Sequence, residues 1–127
     1  ENLSFSKNTF DLISIGFGVR NFQNLEKGLS ESFRVLREGG TLIILETSVP
    51  QNKFVKFFYL LFSRTFIPLI GSLFSKDKKA YNYLQKSAEE FPSGENFSLI
   101  LKSCGFTSVQ IMPLMLGASS IYVAKKN

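Results

Sequence analysis

The chain predicts a mixed α/β fold in which a strand–helix–strand unit is followed by a helical insertion, a further helix and a terminal antiparallel hairpin. Three observations carry this reading. Two short apolar runs, residues 10–18 (FDLISIGFG) and 41–47 (TLIILET), flank a stretch whose apolar residues repeat at helical spacing. Residues 54–74 hold 14 apolar side chains in 21, six of them phenylalanine. The last twenty residues alternate in the manner of strands and break once, at Gly117-Ala118.

Taken in order, residues 10–18 suit a strand buried on both faces, as in a parallel sheet. Asn24 is placed to cap a helix. Leu25, Leu29, Phe33 and Leu36 then repeat on one face of it. Gly39-Gly40 is expected to end this helix, because glycine takes the left-handed cap conformation without steric cost. Residues 41–47 form the second buried strand, closed by Pro50, and the short joins imply a right-handed crossover. Lys56, Arg64 and Pro68 interrupt residues 54–74, whereas a membrane span wants about 20 nearly uncharged residues. The expectation is therefore two short helices broken near Pro68 and Gly71. A helix over 79–91 runs into the breaker Pro92-Ser93-Gly94, and another covers 95–104. Residues 107–116 and 119–125 form the hairpin. The whole chain, 1–127, reads as part of one domain, with 53–92 as a helical insertion.

Composition narrows the chemistry. The 127 residues contain no histidine and no tryptophan, so no imidazole serves as base, nucleophile or metal ligand. Cys104 is the single cysteine and sits on an apolar helix face as core; no metal site is expected. Lys53, Lys56, Arg64, Lys76, Lys78 and Lys79, opposed by Asp77, account for the entire net charge of +5. The charge is thus a local patch, suited to nucleic acid, anionic lipid or an acidic partner. It is interleaved with long apolar runs and shows no aromatic platform on a polar sheet face, which argues against nucleic acid. Glu1 opens without an initiator methionine or signal peptide, which reads as a cut inside a longer gene product.

Three motifs then stand in order. Residues 34–48 read RVLREGGTLIILETS; Gly18-Val19-Arg20-Asn21 follows the first strand; and Tyr81-Asn82-Tyr83-Leu84 precedes Ser87 and Phe91-Pro92. Together they resemble the ubiquinone/menaquinone biosynthesis C-methyltransferases, over nearly the whole chain. Glu38 stands where the family usually has proline, and Gly16 where relatives often carry serine near the cofactor. The resemblance implies the C-terminal half of a Rossmann-like class I methyltransferase fold, with residues 53–92 as a lid. It implies S-adenosyl-L-methionine as cofactor, held mostly by an N-terminal half before Glu1, and a polyprenyl quinol such as demethylmenaquinol as substrate. This chain alone would then be inactive or nearly so.

The same resemblance assigns roles. Arg20 and Asn21 become the catalytic pair: the guanidinium stabilises a phenolate or orients a water, and Asn21 holds the quinol oxygen. Gly16 becomes a cofactor contact, and Arg20 and Tyr81 substrate contacts. By residue type alone the other readings come first: Arg20 in an ion pair, Asn21 as a turn cap, and Tyr81 with Tyr83 as half-buried packing. Glu46 either pairs with Arg20, accepts a proton, or is held by backbone donors. Residues 53–79 either cover a lipophilic substrate and touch a membrane, or are a cap whose phenylalanines are core. The enzyme would be cytoplasmic, peripheral at the inner face of the membrane, and a homo-oligomer. Two other readings stand beside this one: a class I methyltransferase acting on another lipid or small molecule, and a non-catalytic remnant that binds a membrane or partner.

Overall fold

A computed structural model describes residues 2–74 and 77–127. Lys76 of the basic patch lies outside the described residues. Strand β1 (Phe10–Gly16) leads through a 3-10 turn (Val19–Asn21) into helix α1 (Leu25–Val35) and strand β2 (Leu36–Thr47). Helices α2 (Lys53–Phe74), α3 (Lys78–Glu90) and α4 (Glu95–Ser103) follow, then strands β3 (Ser108–Leu114) and β4 (Ser119–Lys125). The sheet order is β1-β2-β4-β3. β1 and β2 are parallel, and β4 runs antiparallel to both its neighbours. This is the expected mixed sheet.

Alternation along β2 and β4 sends Leu42, Ile44, Tyr122 and Ala124 into one core with Leu29, Phe97, Leu101 and Phe106. Burial of that face holds α1 and α4 to the sheet. Asn24 caps α1 as expected, its side-chain oxygen accepting the Lys27 N–H at 2.9 Å. Cys104 is free and packs at the edge of the core.

β1 is an edge strand with Asp11, Leu12, Ser14 and Gly16 exposed, and not the strand buried on both faces that its sequence suggests. Two further expectations need correction. α1 ends at Val35, before Gly39-Gly40, and the backbone of Leu36 is already extended. A glycine cap is not used because Lys126, almost fully buried, donates from Nζ to the carbonyls of Phe33 (2.9 Å) and Leu36 (2.7 Å). The orphan carbonyls of the last turn are satisfied by a cation, which also suits the negative end of the helix dipole. Gly39, at φ 77°, lies instead in the irregular start of β2.

The second correction concerns residues 54–74, which form one helix with Pro68 inside it. A proline there removes one hydrogen bond and costs on the order of 3 kcal/mol, which a 22-residue helix clamped against α3 tolerates. Gly71 is not a breaker. The Tyr81 ring of α3 packs directly on it: a Cβ there would lie 2.7 Å from Cγ of Tyr81. By length and composition α2 could cross a membrane. The break that argued against a span is absent, while Lys56 and Arg64 still interrupt its apolar surface.

Candidate active site

Because β1 and β2 are parallel, their carboxyl ends lie on one rim of the sheet, with Gly16 registered against Leu45. At that rim the chain turns sharply: Phe17 takes φ 51° while its N–H still reaches the Leu45 carbonyl at 2.8 Å. A residue of this size at positive φ is uncommon and tends to mark a site. The 3-10 turn follows. Val19, 1% exposed, anchors it in the core and so sets Arg20 over the end of β2.

There Arg20 meets Glu46. Nη1 donates to Oε1 at 2.5 Å, and the Arg20 backbone N–H makes a long contact of 3.5 Å to Oε2. The Glu46 side chain is fully buried and the Arg20 side chain nearly so. Glu46 also accepts from the N–H (2.8 Å) and hydroxyl (3.2 Å) of Thr47. Of the three readings of Glu46, two are seen together: it pairs with Arg20, and a backbone donor holds it. A carboxylate without water needs such partners, and the pair fixes the guanidinium in place. Arg20 Nε is buried without a hydrogen-bond partner, so one donor at the rim is unsatisfied. A small cleft of about 230 Å³ opens beside the pair, lined by Val19, Arg20, Phe22, Ser87, Glu90 and Pro92 among others.

Asn21 is exposed, and its Oδ1 accepts the Tyr83 hydroxyl at 3.0 Å. Tyr81 is placed elsewhere, half-buried with its ring on Gly71. Sequence reasoning favoured Tyr81 and missed the Tyr83 contact. The signal was present in the spacing, since residues two apart on a helix face different ways. One tyrosine of Y-x-Y could reach the rim and the other had to face away from it. Gly16 is exposed, and a Cβ added there would meet nothing within 4 Å, so the rim beside it is open. A second unforeseen polar cluster flanks the rim. Tyr122, central in the sheet, accepts the Gly94 N–H at 2.7 Å, and Ser48 and Ser120 share a hydrogen bond of 3.0 Å. Burial pushes the Tyr122 hydroxyl pKa up, so the group stays a neutral phenol.

A sequence model of the family described as the ubiE/COQ5 methyltransferase family matches residues 1–126. The chain belongs to that family. Within it, this ubiE/COQ5 member is 43% identical over 98% of its length to the demethylmenaquinone methyltransferase of Bacteroides fragilis, and covers 51% of that protein. It is 40% identical to the ubiquinone/menaquinone biosynthesis C-methyltransferase UbiE of Blochmanniella floridana, over 99% of this chain and 50% of that one. The ubiE/COQ5 member thus spans about half the length of the curated relatives it matches. Its fold is that of class I methyltransferases. A SAM-dependent methyltransferase from Thermotoga maritima superposes with TM-score 0.63 at 19% identity, covering 99% of this chain and 60% of that one. A Haemonchus contortus phosphoethanolamine N-methyltransferase, solved with S-adenosylhomocysteine, superposes with TM-score 0.63 at 12% identity, covering 97% and 34%.

Proposed function

We propose that this chain is the substrate-side portion of a SAM-dependent C-methyltransferase that methylates a polyprenyl quinol, demethylmenaquinol or a close relative. The observation that carries the reading is the Arg20–Glu46 pair and the Asn21–Tyr83 contact on one rim, in a chain of this family. S-adenosyl-L-methionine, when bound, supplies an electrophilic methyl group. Of the residues present, Gly16 fits it as part of the wall, because its side of the rim is open; most of the cofactor would be held outside these residues.

The reaction needs a ring carbon made nucleophilic by loss of the neighbouring phenolic proton. Arg20, held rigid by Glu46, offers the part of its guanidinium that lines the cleft, and its positive charge, to the phenolate oxygen. Pairing with Glu46 tempers that charge, so the contribution is directional hydrogen bonding more than net charge. Asn21 commits its oxygen to Tyr83, leaving the two N–H donors of its amide for the quinol's other oxygen. In this reading Tyr83 is the tyrosine near the substrate, and Tyr81 acts through the lid by packing α3 on α2. The helical hairpin of residues 53–92 covers the apolar tail, and residues 53–79 rest on the inner face of a membrane, so the enzyme is cytoplasmic and peripheral.

The test is a chimera in which this chain replaces the matching half of the Bacteroides fragilis relative. Calorimetry with S-adenosylhomocysteine should show binding by the chimera and none by the 127-residue chain. The chimera should methylate demethylmenaquinol. Tight binding by the chain alone would overturn the division of the cofactor site. A chimera that binds cofactor yet methylates no quinol would overturn the substrate.

A further inference from the structure

The β3–β4 connection carries a feature the active-site reading does not use. Met115, Leu116 and Gly117 all have positive φ (50°, 58° and 95°). Two of these are bulky residues in a conformation that L side chains seldom adopt, at a cost of order 1–3 kcal/mol each. That strain buries nothing: Met115 is 80% exposed and Leu116 81%. Large apolar side chains held outward by a strained turn are placed to meet something.

Its surroundings say what. The turn is fixed against the chain leading into α2: a Cβ on Gly117 would lie 3.1 Å from Cα of Pro50. Leu116 lines a cleft of about 270 Å³ with Val49, Gln51 and Asn52. Three residues beyond Pro50, α2 opens with Lys53, Phe54 (80% exposed), Lys56, Phe57 and Phe58, all exposed. The first turn of α2 contains no acidic residue. The result is one neighbourhood of exposed methionine, leucine and phenylalanine interleaved with lysine. That mixture complements an apolar interior bounded by negative headgroups. A second copy of this chain fits poorly, because an isologous contact would set Lys53 and Lys56 against their own like charges.

We infer that the Met115–Leu116 tip is a second membrane-inserting element, which enters an anionic lipid surface beside the amino-terminal end of α2. This deepens the proposed membrane contact of residues 53–79 and rests on it. Two points of insertion from different parts of the chain would fix the orientation of the sheet rim relative to the lipid, whereas contact along α2 alone would let the whole molecule pivot about that helix.

The chain contains no tryptophan, so Leu116→Trp gives a single reporter of similar apolarity at the tip. The probe is vesicles of phosphatidylcholine with one quarter phosphatidylglycerol. The 127-residue chain should co-sediment with them, and the Leu116→Trp emission should shift to the blue and be quenched by bromine-labelled acyl chains. Met115→Ser/Leu116→Ser, with an unchanged circular dichroism spectrum, should bind at least about tenfold more weakly, since each inserted side chain contributes roughly 1.5 kcal/mol or more. Co-sedimentation without blue shift or quenching would overturn the tip's insertion and leave the α2 contact standing. No binding by the unsubstituted chain would overturn both. A blue shift that grows with protein concentration in the absence of vesicles would assign the tip to self-association instead.

Discussion

Arg20 lies against a carboxylate that has no access to water, and this makes simple alanine substitution there ambiguous. Removing the arginine leaves Glu46 buried and unpaired, which costs about 3–5 kcal/mol. Arg20→Ala should therefore lower the urea midpoint sharply, quite apart from any role in catalysis. Arg20→Met/Glu46→Leu removes both charges and should recover most of that stability. If the double variant in the chimera is well folded yet inactive on quinol, Arg20 acts on substrate; if it retains activity, the pair is structural. A second ionic prediction concerns the amino-terminal segment. Arg34 donates two hydrogen bonds to Glu31, the Leu3 N–H adds a third, and together they hold the Glu31 carboxyl down to about 2. The folded pKa lies below the unfolded one, so this contribution is complete above the ordinary carboxylate value and is lost as pH falls toward 2. Glu31→Gln should flatten the decline in thermal midpoint over that acid range and leave the rest of the profile in place. At this scale the sequence singled out Arg20 and Asn21 through their motif and their position after a strand. It did not expose the Arg20–Glu46 geometry, because the two residues are 26 positions apart and meet only through the register of β1 on β2.

The helical hairpin poses its question at the scale of elements. Gly71 stands in α2 where the Tyr81 ring of α3 presses in, so two opposing effects act on Gly71→Ala. Helix propensity favours alanine by about 1 kcal/mol. Against that, the new methyl would fall 2.7–3.1 Å from ring atoms next to the Tyr81 backbone, which cannot swing aside like a chain end. The steric term should win, and Gly71→Ala should lower the thermal midpoint. In the Tyr81→Ala background the ring is gone, and the same substitution should raise it. A methyl that stabilises in both backgrounds would mean that α2 and α3 do not meet at this point. The strands, the Asn24 cap and the hairpin were legible because local pattern decides them. The end of α1 was not, since Lys126, which terminates it, comes from the far end of the chain. Nor was the continuity of α2, because the propensity of Pro68 and Gly71 to break a helix is overridden by contact with α3.

For the whole molecule, the decisive feature is that its sheet has two unlike edges. β3 carries Pro113, which has no N–H to donate, and so discourages further pairing. β1 has no proline, and it leaves Leu12 55% exposed beside exposed Phe17 and Phe5. A strand with unpaired backbone groups and apolar side chains invites another strand. The 127-residue chain is therefore expected to form a dimer or larger species by light scattering at tens of micromolar. Leu12→Lys adds a charge of the kind natural edge strands use against pairing, and should return the chain to monomer without changing its circular dichroism. A monomeric unsubstituted chain at that concentration would show that the edge is satisfied within one molecule. Self-association that survives Leu12→Lys but vanishes with Phe57→Ser/Phe58→Ser would move the contact from the sheet edge to α2.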